Sequence, residues 1–230
     1  MICVTGDIHI PYDVQRLSRK NWPAQDKLTP DDYLLICGDF GGLWDNSREN
    51  QYWLDWLADK PYTILYVDGN HENFDALDAL PEIDYMGGLA HRIRHNIYHL
   101  LRGYVFEIDG RRIFTMGGAS SHDVEYRIPG RSWWARELPS EEEYARGLRN
   151  LEACGWTVDH IITHCAPGSV QDRVCYFKEG HFGYAKDALT GYLDEISFRC
   201  RFKSWFFGHY HWDGAPWPGF RALYEDIVEL

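Results

Sequence analysis

Short apolar runs of strand length recur along this chain, and nearly every one that reads as a buried strand ends in Gly, Asp, Asn or His. The runs are Ile2 to Thr5, Tyr33 to Cys37, Thr63 to Val67, Tyr104 to Ile108, Arg112 to Met116, His160 to Thr163 and Lys203 to Phe207. The second and third are continuously apolar instead of alternating, which is how a strand covered on both faces reads. The polar endings are Gly6-Asp7-Ile8-His9, Gly38-Asp39-Phe40-Gly41-Gly42, Gly69-Asn70-His71-Glu72, Thr163-His164-Cys165 and Gly208-His209-Tyr210-His211. Functional groups of α/β sheets collect outside the carboxyl ends of strands. These endings are therefore expected to meet in space.

Helical segments lie between the runs. Trp53, Leu54, Trp56 and Leu57 put an apolar face on a helix from about Ser47 to Lys60, closed by Pro61. Ser140-Glu141-Glu142-Glu143 is a capping box, and the helix it starts is expected to end near Gly155. Strand and helix alternate in the first part and strands dominate the middle, so the class is α/β with at least one mixed sheet. No repeat, linker or low-complexity tract divides residues 1–230, which points to one domain.

A composition of 45% hydrophobic, 25% charged and 16% aromatic residues excludes a disordered or fibrous chain. Twenty-three basic against thirty-five acidic side chains leave a net charge of −12, which repels nucleic acids and anionic membranes over the broad surface. The six cysteines form no C-x-x-C pair and read as buried thiols, not as a zinc knuckle or disulfide framework. With no basic leader and no long apolar run, the protein is expected to be cytoplasmic. Against this background eleven histidines stand out, because imidazoles and carboxylates together are the raw material of transition-metal sites.

Each motif alone is weak, since an Asp-x-His after a strand is more often a turn aspartate beside a surface histidine. Together they place two carboxylates, an amide and four imidazoles at strand ends. Asp7 and His9 are two residues apart, so an extended strand end would point both to one side, and the same holds for His209 and His211. Asn70 and His71 are adjacent, so they point apart and can serve different roles.

The order D-x-H, G-D-x-x-G, G-N-H-E, a lone strand-end His and G-H-x-H resembles the calcineurin-like metallophosphoesterases, over Asp7 to His211. The resemblance implies two mixed β-sheets packed as a sandwich flanked by helices, four layers in the order α/β/β/α, with a dinuclear metal centre at the sheets' ends. By the same resemblance one metal is held by Asp7, His9, Asp39 and His211, and the second by Asp39, Asn70, His164 and His209, with Asp39 as the bridge. His71 matches the histidine near the leaving group, and Glu72 would orient or polarise it. The implied activity is metal-dependent hydrolysis of a phosphomonoester or phosphodiester by a hydroxide bridging the metals. Two divalent cations less two aspartates leave a local charge of about +2, which attracts a phosphate dianion to an acidic protein. Oxygen and nitrogen ligands without thiolate suit manganese, iron or zinc and argue against copper(I) or an iron–sulfur cluster.

Gly69-Asn70-His71-Glu72 is also the form found in serine/threonine protein phosphatases, but their second motif continues into Asp-Arg-Gly. Here the stretch is Gly38-Asp39-Phe40-Gly41-Gly42-Leu43-Trp44, without that arginine. A substitute phosphate clamp is expected from a substrate-rim insertion at about 119–139, through Arg127 and Arg131, with Trp133 and Trp134 stacking a base or aryl group. The alternative is that Trp133 and Trp134 are a buried anchor of a surface loop and the arginines solvate it. His122, Asp123 and His181 are secondary rim candidates. His91, His95 and His99 would share a helix face if that stretch is helical, a strand or loop is equally open, and they carry no assigned role. The expected partner is a phosphoester, nucleotide and phosphoprotein both included, and the alternatives to a small-molecule phosphoesterase are protein phosphatase-like activity or a catalytically silent metal-binding scaffold. Ten tryptophans and fifteen tyrosines leave room for an interface, but the oligomeric state is not legible.

Overall fold

The computed structural model describes residues 1–177 and 184–230. Its elements in chain order are β1 (Ile2–Thr5), β2 (Tyr33–Ile36), α1 (Arg48–Ala58), β3 (Thr63–Tyr66), α2 (Phe74–Asp78), β4 (Glu82–Tyr85), β5 (Gly88–Arg94), β6 (Ile97–Leu100), β7 (Val105–Ile108) and β8 (Arg111–Met116). There follow α3 (Glu141–Ala153), β9 (His160–Thr163), α4 (Gly168–Phe177), α5 (Ala188–Arg199), β10 (Ser204–Phe207), β11 (Gly214–Trp217), β12 (Phe220–Ala222) and β13 (Ile227–Glu229).

Two mixed sheets result, in the orders β13-β1-β2-β3-β6-β5-β4 and β11-β12-β10-β9-β8-β7. In the first, β1, β2, β3 and β6 are parallel, with antiparallel strands at both edges. In the second, β8, β9, β10 and β12 are parallel, flanked by antiparallel β7 and β11. The apolar runs explain the layering. Ile2, Val4, Leu35, Leu65 and Val67 meet Ile113, Ile162 and Phe206 between the sheets. The alternate positions Cys3, Leu34, Ile36 and Ile64 pack outward on Leu54 and Leu57 of α1. On the far side Phe114, Ile161, Trp205 and Phe207 pack on Leu151, Val174, Leu189, Leu193 and Ile196 of α3, α4 and α5. Helix, sheet, sheet and helix therefore stack as four layers, and the strands read as continuously apolar are covered on both faces.

Ser47 caps α1 by accepting from the Asn50 backbone N–H, and the capping box of α3 forms between Ser140 and Glu143. His91, His95 and His99 are not on a helix. His91 and His99 lie opposite each other on β5 and β6, their Nδ1 atoms 3.2 Å apart, because a tight turn separates the strands. The six cysteines are free, four of them buried and Cys154 and Cys175 half-buried. The rim candidate His181, with Phe182 and Gly183, lies outside the described residues.

Candidate active site

All five strand-end motifs converge at one end of the sandwich, and the loops interlock through their own aspartates. Asp7, fully buried after β1, accepts the His209 backbone N–H at 3.0 Å on both carboxylate oxygens, joining the first sheet to the second. Asp39, after β2, accepts the His71 backbone N–H at 2.7 Å. The glycines preceding these loops allow that approach: a Cβ on Gly208 would lie 2.0 Å from Asp7 Oδ1, and one on Gly69 2.0 Å from Asp39 Oδ1.

The backbone at these motifs is not extended, contrary to the strand-end argument from spacing. His9, Asp39, His209 and His211 have φ of 33°, 47°, 67° and 45°. The motifs around His9, Asp39 and His209 to His211 turn sharply, so there the turn, and not the pleat, aims the side chains. A left-handed non-glycine residue costs roughly 1–2 kcal/mol, and cross-loop bonds such as His9 N–H to Asp39 O at 2.9 Å hold it in place.

His9 and His164 are oriented through Nδ1, which leaves Nε2 of each toward Asp39. His9 Nδ1 lies 2.9 Å from Asp13 Oδ2, leaving Nε2 3.2 Å from Asp39 Oδ2. His164 Nδ1 donates to the Cys37 carbonyl at 2.7 Å, leaving Nε2 3.1 Å from Asn70 Oδ1 and 3.4 Å from Asp39 Oδ2. His211 Nε2 is 3.5 Å from Asp7 Oδ2, its ring stacked on Tyr224, and the His209 ring sits 5.0 Å from that of His164. Outward anchoring of one nitrogen is the arrangement that presents the other to a metal.

The donor set fits a cation. Ligand atoms of Asp7, His9, Asp39 and His211 all lie within 4.8 Å of one another, close to the spread around one small divalent ion. His164 Nε2 and Asn70 Oδ1, with the amide nitrogen turned to Ser121, need a proton or a cation between them. Among the described residues no lysine or arginine pairs with the buried carboxylates of Asp7 and Asp39. Burial, and then the charge of Asp39 against the pull of His164, pushes Asp7 up to about 6. Burial also opposes ionisation of Asp39, but the charge of His164 and its hydrogen bond hold that carboxyl well below the usual range. Burial likewise disfavours the charged imidazoles, yet Asp39 lifts His9 to about 9 and His164 to about 10. Without a metal, protons supply the positive charge that two buried carboxylates require.

A family model described as calcineurin-like phosphoesterase matches residues 1–213. The chain belongs to this family. Among curated proteins, no sequence matches it. Membership of the calcineurin-like phosphoesterases implies divalent metal ions, and the Asp7, His9, Asp39 and His211 cluster is a place where these residues could hold one.

In this phosphoesterase Glu72 does not reach for His71. Its carboxylate accepts the backbone N–H groups of Phe40 at 2.7 Å and Gly41 at 3.1 Å, so it supports the loop after Asp39. Burial, reinforced by Asp39, pushes Glu72 up to about 8. His71 instead faces Arg127: Nδ1 lies 3.2 Å from Nη1 and Nε2 3.3 Å from Nη2. Burial lowers the His71 pKa and the guanidinium lowers it further, against the charge of Asp39.

Of the other rim candidates, Arg127 is brought to the site, with Nε donating to Asp123 at 2.6 Å and Nη1 to the Ser132 carbonyl at 3.1 Å. Arg131 is exposed on the turn after Ile128, and Trp133 is half-buried in a bridge to Pro129. Trp134 is the buried anchor, packed on Trp44 and Phe74. The His122 ring packs against Tyr184.

Three supporting residues had no signal in the sequence. Asp13 orients His9. Ser121 accepts from Asn70 Nδ2 at 3.1 Å, and its own backbone N–H donates at 3.1 Å to Glu137, a buried carboxylate. Burial pushes Glu137 up to about 7. Ser121 and Glu137 bracket the 119–139 segment, which therefore supports Asn70 as well as carrying Arg127.

Proposed function

We propose that this phosphoesterase hydrolyses small phosphomonoesters or phosphodiesters with two divalent ions. Asp7, His9, Asp39 and His211 would hold one ion; Asp39, Asn70, His164 and His209 would hold the other. The observation that carries the reading is the convergence of oxygen and nitrogen donors from both sheets on one point, with Arg127 and His71 at its edge. Such a pair of ions supplies Lewis-acid activation of water and neutralises charge on the phosphoryl oxygens.

The chain's own groups then divide the remaining work. Arg127 would fork onto the phosphate, taking the place of the arginine missing after Asp39. Leu43 and Trp44, in that stretch, pack against the core instead. A phosphate on Arg127 offsets the charge that lowers the His71 pKa, so His71 gains a proton as substrate binds and can pass it to the leaving oxygen. A catalytically silent scaffold has no need of this full complement. A cytoplasmic setting belongs to the same proposal; among the described residues no helix is long and apolar enough to cross a membrane.

The test strips the metals, adds back Mn²⁺, Zn²⁺, Ni²⁺ or Mg²⁺ in turn, and measures hydrolysis of p-nitrophenyl phosphate and its bis ester. Turnover restored by at least one metal supports the proposal, and the two rates separate monoesterase from diesterase. No turnover of either ester with any metal favours the scaffold. His71→Ala is expected to lower turnover by ~10²–10⁴-fold while keeping both metals by elemental analysis; loss of metal would make His71 a ligand.

A further inference from the structure

A pocket of about 360 Å³ opens beside the metal cluster, with His9 and His71 at one end. If His71 serves the leaving group, as proposed above, whatever is esterified to the phosphate extends into this space. Tyr12, Trp44 and Trp53 form aromatic walls, and Asp45 and Glu49 add carboxylates. None of the lining residues is a lysine or arginine.

The walls are pre-formed. The Trp44 ring is pinned edge-on against Trp134, and its backbone N–H donates to Asn50 Oδ1 at 3.2 Å. Asp45 Oδ1 accepts the Ser47 N–H at 2.9 Å, which fixes the side chain at the rim. Tyr12 is 82% exposed, so packing within the fold does not account for an aromatic side chain at this rim.

Each feature selects chemistry. Aromatic faces accept a flat ring. Ionised carboxylates only accept hydrogen bonds, so they match amino and ring N–H donors and reject oxo groups. Two carboxylates in a lining without lysine or arginine disfavour a second phosphate or an acidic peptide there. We propose that this pocket is the leaving-group subsite and that it takes an amino-bearing nucleobase, making the substrate a nucleoside monophosphate or a nucleotide diester.

The proposal rests on the phosphoesterase reading, and nucleoside binding tests the pocket without requiring turnover. Tryptophan fluorescence and calorimetry would follow titration of the metal-loaded protein with two matched pairs, cytidine against uridine and adenosine against inosine, which differ by amino against oxo. The amino member of at least one pair is expected to bind about tenfold tighter, the effect of a hydrogen bond to a charged group. The double variant Asp45→Asn, Glu49→Gln should remove that preference, and Tyr12→Ser should weaken both members. The same preference should appear in kcat/KM for the 5′-monophosphates, with diphosphates disfavoured. No preference in either pair, or a preference untouched by the double variant, overturns the subsite. Failure to hydrolyse any phosphoester, with the nucleoside preference intact, overturns the activity and leaves the subsite standing.

Discussion

Arg127 and His71 face each other at hydrogen-bond distance, and a guanidinium has no acceptor to offer. A neutral imidazole accepts at one of its two nitrogens only, so one of these contacts is a hydrogen bond from the guanidinium, and burial together with the Arg127 charge favours the neutral ring. Arg127→Ala is therefore expected to raise KM for p-nitrophenyl phosphate and to move the His71 limb of the kcat/KM profile to higher pH. An unmoved limb would separate the two residues functionally. Ser121 acts one step further back by fixing which end of the Asn70 amide faces His164. Ser121→Ala should weaken the second metal by ~10–100-fold, as loss of an outer-shell partner commonly does, while the first metal stays. Sequential binding isotherms would show it, and equal weakening of both metals would argue for a general disturbance of the fold.

The 119–139 segment is held from beneath by Trp134 and reaches the site through Ser121 and Arg127. Trp134→Ala removes a buried ring between Trp44 and Phe74 and should cost about 3 kcal/mol in urea unfolding. It should also raise KM, because Arg127 and Trp44 lose a common support; stability loss with unchanged KM would uncouple the anchor from the site. This segment also shows what a sequence can disclose. β1, β2, β3, β9 and β10 were readable to within a residue, because their apolar runs end abruptly at the polar strand-end motifs, and β7 and β8 were readable as well. The parallel strands β6 and β12 were not, nor were the edge strands β4, β11 and β13. In β4 the exposed Glu82 and Asp84 leave little apolar pattern, and β11 includes Gly214 and Pro216. His91 and His99, eight residues apart, mimic a helix face until the turn at His95-Asn96 places them across two strands. The partners Asp13, Ser121 and Glu137 were illegible for a related reason. Nothing local marks an aspartate that will meet a histidine only after the chain has turned, or a glutamate that will meet a serine across a folded loop. Glu72 carried the motif but not the contact expected of it, since a carboxylate beside His71 in sequence points to the opposite side.

At the scale of the molecule, the charge of −12 is compatible with an anionic substrate only where cations reverse its sign. Protons perform that role in the metal-free protein, with His9 lifted to about 9 and His164 to about 10. With the ligand sets proposed above, each metal would displace a proton from one of these imidazoles at neutral pH. Affinity should therefore rise with pH between 6 and 9, by about tenfold per unit for each proton displaced, and calorimetry in buffers of different ionisation enthalpy should register the release. The same two groups stabilise the metal-free fold below their unfolded pKa, and that contribution fades as pH rises through their folded values. The metal-free protein should thus melt lower at pH 9 than at pH 7, unlike the loaded one, and a pH-independent affinity would sink the assignment.

Asp7, His9, Asp39 and Asn70 leave the first sheet, whereas His164, His209 and His211 leave the second, so neither sheet alone carries a complete set of donors. On the proposed ligand sets an ion would not guide the early assembly of this chain, because its coordination sphere would exist only once the two halves have docked. Capture is then the closing event of folding. Refolding should run at the same rate with or without metal, while unfolding slows when metal is present: the ion works as a latch on a finished structure, and a refolding rate that climbs with metal concentration would show it acting as a template instead.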